Sequence, residues 1–143
     1  MWTHESSFHT ELPAEQLWTV LADVARWPEI DANIGRLEIS DHPGPGARFM
    51  LQPRGGPRLR FTIDKFHPPR RYSDVCHLPG GRMTTVHELV PEASGGTRIV
   101  VQIAVDGPFA WLWARVVGRR HAAGLPAQTA RFIAAARERS LAA

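Results

Sequence analysis

The sequence predicts an α+β domain in which a curved antiparallel sheet of seven strands holds one long C-terminal helix around a cavity, with two short helices after the first strand. Three observations predict it. Residues 12–27 carry an amphipathic helical stripe between a first strand and a second short helix. From Leu37 to Asp106 the apolar period is two, cut by Gly- and Pro-rich turns. From Pro108 the apolar residues recur at steps of three and four, the period of a helix.

Trp2 to Glu11 reads as the first strand. Pro13 suits a first helical position, where its missing N–H has no partner to lose, and Glu15 favours the positive end of the helix dipole. Leu17, Trp18, Leu21 and Val24 then form a single apolar stripe. Trp27-Pro28 is expected to break this helix, because the residue before proline avoids the α region. A second short helix follows over 28–33.

Beyond it, Leu37 and Ile39 alternate with Glu38 and Ser40, and Phe49 and Leu51 with Arg48 and Met50. Leu59, Phe61 and Ile63 alternate with Arg60, Thr62 and Asp64, and the run Ile99–Val105 has the cleanest alternation. Turns are expected at Pro43–Gly46, Gly55-Gly56, Pro68-Pro69, Pro79–Gly81 and Ser94–Gly96. Turns this short join antiparallel neighbours. Pro108 is expected in the first turn of the last helix, whose apolar side runs Phe109, Leu112, Trp113, Val116, Val117, then Leu125, Thr129, Phe132 and Ala136. Pro126 is expected to kink it.

Composition narrows the function. At 143 residues the chain fits one domain, 1–143, by the usual span of about 100–200 residues. Folding at this size hides roughly 68–70% of the surface, enough for a core without staples. Cys76 is the only cysteine, which excludes a disulfide framework and a cysteine-rich zinc site. No signal-peptide pattern opens the chain, and no apolar run reaches the about 20 residues of a bilayer span. A cytoplasmic protein without stable membrane insertion is expected. The net charge of +3 rests almost wholly on arginines scattered over strands and turns. A nucleic-acid partner would call for a basic stripe interleaved with aromatics, so none is expected.

The motifs 12–30, P-P-R-R-Y at 68–72, H-E-L-V-P at 87–91, G-G-T-R-I at 95–99, V-D-G-P-F-A at 105–110 and G-L-P-A at 124–127 resemble the polyketide cyclase/dehydrase and lipid-transfer superfamily. That superfamily shares the START and birch-pollen-allergen fold, and the likeness covers essentially the whole chain. It implies a helix-grip architecture. Its members are similar in shape yet act as cyclases, dehydratases, lipid or quinone carriers, receptors and chaperone partners, so the resemblance brings no catalytic motif.

Candidate residues therefore come from hairpin register. A four-residue turn at Pro79–Arg82 sets Asp74 opposite His87, Tyr72 opposite Leu89 and Cys76 opposite Thr85. A turn centred on Ser94 sets Leu89, His87 and Thr85 opposite Ile99, Val101 and Ile103. A four-residue turn at His67–Arg70 sets Ile63 opposite Asp74 and Phe61 opposite Cys76. Opposed residues share a face. The expected cavity wall is then Phe61, Ile63, Thr85, Leu89, Val101 and Ile103, completed by Trp113, Val117 and Arg120 from the helix.

Asp74 and His87 stand out as a carboxylate facing an imidazole on an apolar wall. Such a pair could make His87 a general base oriented by Asp74, with Tyr72 donating to an enolate oxygen. A structural pair, or a polar spot that orients a ligand, is the plainer alternative. The remaining histidines lack metal-ligand spacing, so no metal is expected. No Gly-rich phosphate loop or G-x-S-x-G elbow exists, so no cofactor or serine nucleophile is expected. Trp111 and Trp113 are read as helix packed on the sheet rather than a membrane-dipping edge.

The residues point to binding of a small hydrophobic molecule of the lipid, quinone or aromatic polyketide class. A cyclase/dehydratase-type lyase or isomerase and a protein-interaction module stay open, as does a homodimer.

Overall fold

In a computed structural model describing residues 1–142, β1 (Trp2–Thr10) leads into α1 (Ala14–Leu21), a 3₁₀ turn (Val24–Arg26) and α2 (Trp27–Ile30). Six strands follow: β2 (Ile34–Ile39), β3 (Arg48–Pro53), β4 (Leu59–His67), β5 (Arg71–Leu78), β6 (Gly81–Pro91) and β7 (Thr97–Asp106). The chain closes with α3 (Ala110–Trp113), a π-helical stretch (Ala114–Gly118) and α4 (Arg119–Ala142), which form one continuous helix.

The seven strands make a single antiparallel sheet in the order β1-β7-β6-β5-β4-β3-β2. The first two strands in the chain therefore occupy opposite edges, and α1 and α2 carry the chain across between them. Three arginines of α4 fasten these helices: Arg131 to Asp31 (3.1 Å), Arg139 to Asp23 (3.0 Å) and Arg137 to Glu11.

The sheet's inner face and the final helix share one core, with Ile63, Tyr72, Cys76, Val101, Ile103, Val105 and Leu125 almost wholly buried. Along the helix the buried positions are Ala110, Ala114, Gly118, Ala122, Leu125, Thr129 and Ala136. The first four recur every four residues. An α-helix turns once per 3.6 residues, so that stripe would drift off the sheet, and the wider π turn brings it back. Gly118 sits here because a Cβ would come 2.9 Å from the Trp2 ring.

Three expectations are corrected. The first helix ends at Leu21, well before Trp27-Pro28. Trp27 instead opens α2 in the α region (φ −53°, ψ −38°). Its indole N–H donates to the Leu21 carbonyl (3.2 Å) while its ring meets Phe49, Tyr72 and Phe132. Burial of the ring outweighs the local preference before proline. Pro13 is the residue capping α1, in extended conformation (φ −70°, ψ 155°), and Pro108 precedes the cap Phe109; both stand just outside their helices. The last helix continues through Pro126, which is exposed.

The third correction concerns the hairpins. Leu78 pairs with Gly81, leaving only Pro79 and Gly80 in the β5–β6 loop. Gly80 takes φ +67°, as the second central residue of a proline–glycine turn requires. The β4–β5 pairing matches the expected one up to Ile63 and then shifts before Phe66, where a bulge absorbs one residue.

Candidate functional site

The shorter β5–β6 loop slides that pairing by two residues. Tyr72 therefore faces His87, Asp74 faces Thr85 and Cys76 faces Met83. A slip of two keeps every side chain on its face but changes its partner. The expected apposition of Asp74 and His87 is corrected accordingly. The β6–β7 partners are as expected, with Thr85, His87 and Leu89 opposite Ile103, Val101 and Ile99. So are Phe61 opposite Cys76 and Ile63 opposite Asp74.

Asp74 takes its hydrogen bond from Tyr72, whose hydroxyl donates to Oδ2 at 2.9 Å. Burial pushes the Asp74 carboxyl up to about 7, against the opposing pull of the Tyr72 hydroxyl. Tyr72 is held well above its ordinary range, first by burial and then by the neighbouring carboxylate. Near neutral pH the Asp74 carboxyl is therefore divided between its protonated and ionised forms, while Tyr72 keeps its proton.

The His87 ring lies 6.0 Å from that of Tyr72. Its Nδ1 is fully enclosed and has no hydrogen-bond partner among the described residues. Burial, and secondarily the nearby His121, depress His87 to about 4. His121 of α4 comes down from above the sheet, with Nε2 3.3 Å from Thr85 Oγ1, and burial likewise takes it to about 4. Both rings keep some open area although protein surrounds them deeply.

Trp27 and His4 join the site unforeseen, and His121, four residues before the buried Leu125, looks inward as that spacing allows. His4 shares the inner face with Trp2, Ser6 and Phe8 and lies 2.9 Å from Ser6 Oγ. The period-two run of the first strand already carries that signal. Trp27 stands 5.8 Å from Tyr72, a contact no local pattern encodes.

Of the expected wall, Ile63, Thr85, Leu89, Val101 and Ile103 are buried on the inner face. Phe61 is half-buried and stacks on Phe49 at 4.9 Å. Val117 is half-buried against the core. Trp113 points to the hairpin end, donating its indole N–H to the Pro79 carbonyl at 2.7 Å. Arg120 is exposed on the outer side of the helix. A depression of about 900 Å³ opens at the β2–β4 edge, reaching Leu37, Ile39, Phe49 and Phe61 but not the Tyr72–His87 group. No set of described residues is arranged to hold a metal ion.

The inner face thus carries a few convergent polar groups among apolar side chains: a neutral imidazole, a carboxyl balanced near neutrality, a phenol and a hydroxyl. A family model described as polyketide cyclase / dehydrase and lipid transport matches residues 1–132, and the chain belongs to that family. Among solved structures it is similar to norcoclaurine synthase from Thalictrum flavum, a point mutant in complex with a transition-state analogue. That match has a TM-score of 0.78 at 14% identity and covers 97% of this chain and 96% of the other. It is similar too to protein DR_A0006 from Deinococcus radiodurans (TM-score 0.65, 20% identity, 99% and 100% covered). A third likeness is to Ara h 8.0201 (TM-score 0.62, 18% identity, 75% and 79% covered). At these identities the likenesses establish the fold. No curated protein matches the chain.

Proposed function

We propose that the protein binds a small hydrophobic molecule, of the lipid, quinone or aromatic polyketide class, between the sheet and the C-terminal helix. The observation that carries this reading is the enclosed, unpartnered His87 Nδ1 on a mostly apolar inner face. An unmet polar atom of this kind costs about 1–3 kcal/mol, and a ligand hydroxyl or carbonyl that reaches it when the ring turns recovers much of that. Native mass spectrometry after incubation with a host-cell extract tests it. A retained adduct, released on denaturation, is expected, and His87→Phe should lower its occupancy. A clean protein mass across lipids, quinones and aromatic polyketides would sink the proposal.

A second reading, a cyclase or dehydratase acting beside a carbonyl, is favoured by the Tyr72–Asp74 pair next to a neutral imidazole. His87 would take the proton as base, while Asp74 in its protonated form donates to the Tyr72 oxygen and frees the single phenol O–H to donate to the enolate oxygen. Asp74 then positions the phenol rather than the imidazole. Turnover of a bound polyketide left unchanged by His87→Ala and by Asp74→Asn would exclude this chemistry.

A further inference from the structure

Two tryptophans two residues apart at the start of the C-terminal helix have opposite fates. Trp113 turns inward onto the β5–β6 loop. Trp111 is 67% exposed, with Phe109 (51%) and Val116 (49%) exposed beside it. The sequence-based expectation that both pack on the sheet thus fails for Trp111. Trp111, Arg115 and Arg119 together line one shallow depression on the outer side of the helix, and Arg120 is exposed next to them.

The charge around this face has one sign. No aspartate or glutamate occurs from Gly107 to Arg137. The preceding acid, Asp106, is taken by Arg82 at 2.7 Å. Arg115, Arg119 and Arg120 form no ion pair among the described residues. Exposed aromatic rings with arginines around them match an anionic lipid surface. An indole settles at headgroup depth, its ring in the apolar fringe and its N–H toward water. The guanidinium fork fits phosphate with two hydrogen bonds. A protein partner would find no acid on this face to pair with its own basic groups.

We propose that this face, Phe109 to Arg120, docks the protein on an anionic phospholipid membrane, peripherally and reversibly. The contact is interfacial, since no helix is long and apolar enough to cross a bilayer. It goes beyond ligand binding and rests on different residues.

Co-sedimentation of the full chain with vesicles tests it, comparing phosphatidylcholine alone with phosphatidylcholine mixed with phosphatidylglycerol. Binding is expected to the mixed vesicles, much less to the neutral ones, and to weaken with salt. Arg115→Gln and Arg119→Gln should each cost about fivefold in partitioning, and Trp111→Ala several-fold. These side chains are exposed, so unchanged thermal unfolding should accompany the loss. No sedimentation with anionic vesicles at low salt overturns the proposal. So does equal binding by the Trp111→Ala variant, or a dimer in light scattering that Trp111→Ala dissolves.

Discussion

Asp74 and the two enclosed histidines titrate in opposite senses. Burial raises Asp74 from 3.8 to about 7, so the folded protein keeps a proton that the unfolded chain releases. Between those values its contribution to stability is lost as pH rises. His87 and His121 are depressed from 6.5 to about 4, so their contribution is present above pH 6.5 and lost as pH falls toward 4. The opposing slopes cancel in part: two histidines against one carboxyl leave a net gain of stability as pH rises from about 4 to 6.5. Asp74→Asn removes one slope while leaving an acceptor for Tyr72. The variant should gain roughly 2–4 kcal/mol over the native protein at pH 8, with the gain vanishing near pH 4. Thermal unfolding followed by circular dichroism from pH 4 to 8 measures this. A difference that does not vary with pH would mean Asp74 ionises like a surface carboxyl.

Among the elements, the contact between α2 and α4 depends on one buried acid. Asp31 is 3% exposed and receives hydrogen bonds from Arg131 Nη2 (3.1 Å), Gln128 Nε2 (3.3 Å) and the Asn33 N–H (3.0 Å). Arg131→Ala leaves the carboxylate enclosed with only neutral donors and should cost about 1–3 kcal/mol. The double variant with Asp31→Asn should recover part of the loss, because no charge then stays buried. Urea midpoints of the native protein, both single variants and the double variant close the cycle. A strictly additive double variant would show that the two side chains do not interact.

For the whole molecule, the sheet order leaves β1 and β2 at opposite edges, and the long helix packs on the inner face of the sheet. A ligand seated there binds only the folded state and should raise its stability by about 2.7 kcal/mol at a hundredfold excess over Kd. The thermal shift should follow ligand concentration logarithmically and shrink in His87→Phe at equal ligand. A molecule retained in native mass spectra that produces no shift would be held on the surface instead.

Strand number, antiparallel pairing and the final helix were legible because alternation and helical period are local properties of side-chain order. Membership of the inner face was legible for the same reason: Tyr72, Asp74, Thr85 and His87 stay together whether the β5–β6 pairing slides by two residues or not. Their partners were not. The Pro79-Gly80 pair, read as a tight turn with glycine at positive φ, carried the signal that would have set Tyr72 opposite His87. Three-dimensional packing alone drew Trp27 over Tyr72, brought His121 down to Thr85, and sent Trp113 inward while leaving Trp111 outside. Pattern along a chain assigns a side chain to a face. Which groups meet across the interior depends on loop lengths, bulges and how closely the helix approaches the sheet, and these are set only when the whole core closes.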